Sequence, residues 1–325
     1  MRALLCRTLG SIGNLEVGEI PAQELRNGDV RISIKASGVN FPDILMVEGK
    51  YQVRPNLPFV PGLELAGEVL ECAEGVDHVR PGDRVMAFAR FGGAHADEIV
   101  LPSGIVTPIP EGMDFVTAAA FPVAYGTAHF ALAHRGALKA GDNLLVLGAA
   151  GGVGLAAIEV GKSLGARVIA AASSADKLAI AKEHGADEGV NYDNGSLRDQ
   201  VRSLTDDKGV DVVFDPVGGD AFTQSVRCIG WEGRILVVGF ASGDIPKVAA
   251  NMILVKNFSV TGVVFGEHSH RYPEETRQRL TDLLKHYESG EFKPRVMATY
   301  GLEEAGTAIA QLSERKAVGK VILTR

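Results

Sequence analysis

The chain has 325 residues, 46% hydrophobic and 22% charged, which is enough apolar material for about two packed domains and too much for a disordered tail. A net charge of −7 argues against a general binder of nucleic acid or anionic membrane and leaves a small molecule as the expected partner. Three cysteines, Cys6, Cys72 and Cys228, odd in number and far apart, exclude a disulfide framework and a cysteine-rich zinc site, and read as thiols of a reducing, cytoplasmic compartment.

Met1 to Gly10 is too short for a secretory apolar core and lacks a small-residue cleavage site, so it reads as an opening strand. Short apolar segments follow at Val30 to Ile34, Leu63 to Leu70 and Arg84 to Phe88, cut by turns at Pro61-Gly62 and Pro81-Gly82. This is the texture of a compact, mainly β domain. Phe115 to His134 carries no formal charge, but Pro122, Gly126, Thr127 and His129 interrupt it, so it reads as an inter-domain helix and not as a membrane span.

From Asp142 strands and helices alternate. Strands are expected at Asn143 to Leu147, Arg167 to Ala172, Glu188 to Asn191, Val210 to Phe214, Arg234 to Val238 and Ser259 to Val263, with helices at Gly152 to Leu164 and Ala175 to His184. Alternation of this kind predicts a doubly wound parallel sheet, because parallel strands need crossovers that cover both faces. The run Glu267 to Tyr272, with its two histidines, reads as a surface loop and not as a metal site. Amphipathic helices are expected near Pro273 to Ser289 and Leu302 to Arg315, then a lone strand, Gly319 to Leu323. A final strand without a crossover must join a sheet built elsewhere, and the first domain is available.

Between the Leu144 to Leu147 strand and the next helix lies Gly148-Ala149-Ala150-Gly151-Gly152-Val153-Gly154. A glycine-rich turn there presents backbone N–H groups and a helix N-terminus to a dinucleotide pyrophosphate. The second strand ends in Ala172-Ser173-Ser174, without the carboxylate that would hold the ribose hydroxyls of NAD. Lys177 follows one turn later, which suits the 2′-phosphate of NADPH. Ser174 also reads as a helix N-cap, and Lys177 as a solvated surface residue.

Together with that loop, Gly38-Val39-Asn40-Phe41-Pro42-Asp43, Pro58 to Val69, Gly82-Asp83-Arg84-Val85 and Gly319-Lys320-Val321 resemble the medium-chain dehydrogenase/reductase superfamily. Within it the chain is similar to the zinc-free NADPH:quinone oxidoreductases, the zeta-crystallin-like branch. The resemblance implies a GroES-like catalytic domain over residues 1–122 and 266–325, a Rossmann dinucleotide-binding domain over 123–265, a cofactor between them, and a homodimer. The places of the catalytic zinc ligands fall on Asn40, Leu63 and near Ala119, and leucine and alanine offer no ligand atom, so no metal is expected. The resemblance also puts Tyr192 beside the 2′-phosphate, the backbone of Gly239, Phe240, Phe265 and Gly266 near the nicotinamide amide, and Thr127 and Lys320 at the nicotinamide end.

Without zinc to polarise a carbonyl, the chemistry favours acceptors that are already electrophilic: quinones, enones or enoyl thioesters. What the site then needs is a donor for the oxygen that gains charge. Asn40, whose amide can donate, and Tyr51, a phenol with an ordinary pKa near 10, are the candidates. Asn40 could equally stabilise a turn and Tyr51 could simply pack. Asp43 reads as a structural residue at a helix start. The expected activity is NADPH-dependent reduction of a quinone or other conjugated carbonyl, with enoyl-thioester or alkenal reduction as one alternative and a non-catalytic NADPH sensor or structural protein as another.

Overall fold

The computed structural model describes residues 1–325, and they divide into two compact units. The first comprises Met1–Val123, Gly266–Glu288 and Pro294–Arg325, and the second Ala124–Phe265 with Ser289–Lys293. In chain order the strands are β1 (Arg2–Cys6), β2 (Leu15–Glu19), β3 (Asp29–Val39), β4 (Glu64–Cys72), β5 (Arg84–Phe88), β6 (Glu98–Pro102) and β7 (Val106–Pro108). The second unit follows with β8 (Asn143–Leu147), β9 (Arg167–Ala172), β10 (Glu188–Asn191), β11 (Val210–Asp215), β12 (Ile229–Val237) and β13 (Ser259–Gly262). The chain closes with β14 (Val296–Gly301) and β15 (Lys320–Thr324).

In the first unit a sheet runs β14-β15-β3-β4-β5-β7, with β6 also paired to β3. The lone last strand finds its partners here. It lies antiparallel to β3, with Val321 opposite Val39, and parallel to β14. β3 alternates half-buried and buried positions before its last, fully buried residues, β4 is buried over Glu64–Gly67 and at Val69, and Val30, Ile32, Ile34, Leu65 and Val69 form one core with β5 and β6. The three-residue β7, together with β2, β6 and β14, has too short or too polar a run for periodicity to reveal.

The second unit is a parallel sheet in the order β10-β9-β8-β11-β12-β13. β8 and β9 are nearly continuous apolar runs, buried throughout after their first residue, as expected where helices cover both faces. The order reverses between β8 and β11, so the loops that follow these two strands flank a topological switch point, where such sheets bind ligands.

Three expectations are corrected. Phe115 to His134 is not one helix. It breaks into Phe115–Ala119, Pro122–His129 and a π-helical Phe130–Arg135, because the residue before a proline is driven out of the helical region. Glu267 to Tyr272 is mostly helix, within Phe265–Arg271, and its inner face buries His268 and Ser269. Ser289–Lys293 packs with the second unit, where the Phe292 ring stacks on Tyr125 at 5.0 Å and the Lys293 N–H donates to Glu159 at 3.0 Å. No helix is long and apolar enough to cross a membrane.

Candidate functional site

In the second unit the glycine loop forms a tight turn. Gly148 takes φ +58°, open to glycine at little cost, and its carbonyl accepts the Gly151 N–H at 3.0 Å. A Cβ on Gly154 would lie 2.3 Å from that same carbonyl oxygen, so only glycine lets the helix start this close to the strand. The helix Gly152–Ser163 begins at Gly151 with no side-chain cap. The N–H groups of Gly152, Val153 and Gly154 therefore have no helical acceptor and form a cradle for an anion. Ala150 is buried beside them.

Ser174 caps the helix Ala175–Glu183, its Oγ accepting the Lys177 N–H at 3.3 Å, while Lys177 Nζ donates to Ser173 Oγ at 3.2 Å. The two serines and the lysine thus converge at the carboxyl end of β9. Capping and clustering coexist in this arrangement. Tyr192 opens the turn after β10, whose last residue, Asn191, pairs with Ala172 at the end of β9. Thr127 is buried in the helix Pro122–His129. The Gly239 N–H is taken by the Asp215 carbonyl at 3.2 Å, so of its backbone groups only the carbonyl can meet a ligand. Phe240 turns back through its carbonyl to the Gly243 N–H at 2.8 Å. Phe265 and Gly266 open a helix, and the N–H groups of a first turn lack helical acceptors.

The first unit holds a buried polar network that sequence reading located only in part. Lys320 Nζ forms an ion pair with Glu64 Oε1 at 2.6 Å and donates to Asn40 Oδ1 at 2.7 Å and the Val39 carbonyl at 3.1 Å. Asn40 Nδ2 donates to the same Glu64 oxygen at 2.9 Å and to the Gly38 carbonyl at 3.2 Å. The other Glu64 oxygen accepts the Val123 N–H at 2.8 Å. Lysine can only donate and carboxylate only accept, which settles the orientation of the Asn40 amide between them.

Both Asn40 amide hydrogens are used inside the chain, so a donor role toward a substrate would have to compete with this network. Lys320 Nζ is likewise engaged inside the chain, by Asn40, the Val39 carbonyl and Glu64. Tyr51 differs. It sits half-buried just after the helix Phe41–Val47, its backbone N–H held by the Leu45 carbonyl at 3.0 Å, and its hydroxyl has no hydrogen-bond partner within the chain. Burial and the Asp43 carboxyl hold its phenol above the ordinary value, while Arg90 pulls the other way. It is therefore protonated at neutral pH and free to donate.

Below this network Asp43 and His95 are completely buried. Asp43 accepts the Asn40 N–H at 2.7 Å and the Gly62 N–H at 3.0 Å, and lies 3.8 Å from His95 Nε2, which has no hydrogen-bond partner. His95 Nδ1 meets Ser37 Oγ at 3.0 Å. Sequence reading missed Glu64, His95 and Ser37 as members of this group. The available signal was polar residues inside otherwise apolar strand segments, because such residues are rarely buried without partners. Leu63 and Ala119 are buried, and nowhere are three or more His, Cys, Asp and Glu side chains grouped to hold a metal ion.

Burial pushes the Asp43 carboxyl up to about 7, and burial with the nearby Arg325 and Lys320 pushes the His95 imidazole down to about 3. Asp43 binds its proton more tightly folded than unfolded, so its contribution falls as pH rises from about 4 to 7. His95 binds more weakly folded, so its contribution rises from about pH 3 to 6.5. The two slopes oppose each other. Removing Asp43 as Asp43→Asn should make stability, relative to the parent protein, climb by about 1 kcal/mol per pH unit between pH 4 and 6.5. His95→Leu should make it fall over the same range. Urea unfolding at stepped pH checks this, and parallel profiles for all three proteins would show that neither group is perturbed.

Family models match both units: one described as an alcohol dehydrogenase GroES-like domain over residues 26–111 and one described as a zinc-binding dehydrogenase over residues 152–285. The quinone oxidoreductase-like protein 2 homolog of Nematostella vectensis is 40% identical over 324 residues, 99% of this chain and 88% of that protein. Among solved structures, the quinone oxidoreductase of Pseudomonas syringae pv. tomato DC3000 matches with a TM-score of 0.94 at 30% identity, over 100% of this chain and 99% of that one. The Escherichia coli quinone oxidoreductase complexed with NADPH matches with a TM-score of 0.93 at 28% identity, over 100% of both chains. The chain belongs to the medium-chain dehydrogenase/reductase superfamily, in its quinone oxidoreductase branch.

Proposed function

We propose that the protein is an NADPH-dependent reductase that delivers a hydride to a quinone or another conjugated carbonyl without a metal. The observation that carries the cofactor choice is the Ser173–Ser174–Lys177 cluster at the end of β9, a cation with two hydroxyls and no carboxylate. A dianionic 2′-phosphate suits that set, and a ribose diol does not. The Gly154 position, where no Cβ fits, and the open N–H groups of Gly152, Val153 and Gly154 suit the pyrophosphate. Tyr192, Thr127, Phe240, Phe265 and Gly266 remain candidates for the rest of the cofactor. NADPH would supply the hydride.

Tyr51 donates a hydrogen bond, then a proton, to the substrate oxygen that gains charge. Asn40, tied to Glu64 and Lys320, stands at the N-cap of the helix Phe41–Val47 whose Leu45 carbonyl holds the Tyr51 N–H. An enolate is far more basic than a hydroquinone anion, which can take its proton from water. Reduction of enones and enoyl thioesters, the second reading, therefore depends more heavily on Tyr51. We also read the protein as cytoplasmic, in keeping with three unpaired cysteines. We read it as a homodimer through β13: this strand is the sheet edge, and Trp231, Leu254, Val255 and Val260 expose apolar surface around it.

Lys177→Ala should weaken NADPH binding roughly tenfold to a hundredfold, the scale of one charge-assisted contact, and leave NADH binding nearly unchanged. Fluorescence titration with both cofactors measures it, and equal losses would reject the 2′-phosphate site. Tyr51→Phe keeps the ring and removes the donor, so kcat should drop about 10²–10⁴-fold on an enone and much less on a quinone. Steady-state kinetics on both acceptors test this, and a folded variant with unchanged kcat on both would leave the tyrosine a packing residue.

A further inference from the structure

We propose that Asp215, at the carboxyl end of β11, is a positioning residue that ties together the loops around the switch point, so that the pyrophosphate and nicotinamide portions of NADPH are bound as one unit. The proposal rests on the NADPH reading above. Asp215 is fully buried, and one carboxylate oxygen accepts two backbone N–H groups, from Val217 and Gly218, each at 2.8 Å. These bonds fix the turn after β11. In that turn Val217 Cγ2 lies 3.0 Å from where a Cβ on Gly148 would be, so Val217 packs directly against the backbone of the glycine loop.

The Asp215 main chain reaches the opposite way. Its carbonyl accepts the Val238 N–H at 2.8 Å and the Gly239 N–H at 3.2 Å. Two more bonds continue the zipper between the loops after β11 and β12: Ala241 N–H to the Pro216 carbonyl at 3.0 Å, and Ser242 N–H to the Val217 carbonyl at 2.9 Å. One residue therefore sets the position of the glycine loop with its side chain and of the Gly239–Phe240 backbone with its main chain. The second carboxylate oxygen has no partner, and burial holds the carboxyl above its ordinary pKa. A group that needs only one acceptor oxygen and no charge for this task can be replaced by an amide.

The test separates whole-cofactor binding from binding of its adenosine end. Adenosine 2′-phosphate needs only the cluster at β9, whereas NADPH needs the loops as well. In Asp215→Ala the Kd for NADPH should rise about tenfold, while that for adenosine 2′-phosphate changes less than twofold, both measured by calorimetric titration. Asp215→Asn should restore NADPH binding to within about threefold of the parent. If Asp215→Ala does not fold, Val217→Ala, which leaves every Asp215 bond in place, should show the same split at about threefold. Unchanged NADPH binding in the folded variant, parallel weakening of both ligands, or no recovery with asparagine would overturn the proposal. A parent protein that binds neither ligand would overturn the NADPH reading itself, and the proposal with it.

Discussion

A lysine ammonium buried beside a carboxylate is the constraint on which the first unit depends. Lys320 comes from the last strand, Glu64 from β4 and Asn40 from the end of β3, so residues far apart in sequence meet in a single hydrogen-bonded group. Removing either charge would strand the other in a dry interior, which typically costs about 3–5 kcal/mol. The returning C-terminal segment is thus locked to the start of the chain by charge as well as by the β15–β3 ladder. The same group uses both amide hydrogens of Asn40 and engages the Lys320 ammonium. In the proposed reading the phenol of Tyr51, which has no hydrogen-bond partner within the chain, is the donor.

The second unit solves a different problem, the close approach of backbone to a bulky anion. Its means are local. Gly148 and Gly154 occur where a side chain would strike Val217 or a carbonyl oxygen, and the uncapped helix start leaves N–H groups without a helical acceptor. The proposed 2′-phosphate cluster lies at the next strand, β9, where Lys177 donates to Ser173. In the proposed reading, pyrophosphate binding and cofactor choice thus sit on separate strand ends. Substitutions at one should leave the other intact.

Much of this was legible in the sequence. The βαβ alternation and the glycine turn depend on local periodicity and on φ/ψ preferences, which a sequence displays directly; β8, β9 and β10 run over the expected residues. The orphan last strand was legible by exclusion. What could not be read was pairing between distant residues. Nothing in the local pattern says that Lys320 meets Glu64, or that Asn40 would be spent on both. Pro122 signalled a helix break, but apolar composition outweighed it, and the buried face of Phe265–Arg271 was hidden by its charged neighbours Glu267 and Arg271, which pair with each other on the surface. Short strands such as β7 depend on partners in the sheet and leave no periodic trace.

We read hydride transfer here as proceeding without a metal, because the positions where the resemblance puts zinc ligands carry a leucine, an alanine and an asparagine that accepts from Lys320. The most direct measurement is NADPH oxidation by a simple quinone in the presence of a strong chelator, alongside elemental analysis of the same preparation. The account predicts undiminished turnover and no stoichiometric zinc. Turnover that is lost to the chelator and restored by about one zinc per chain would contradict it.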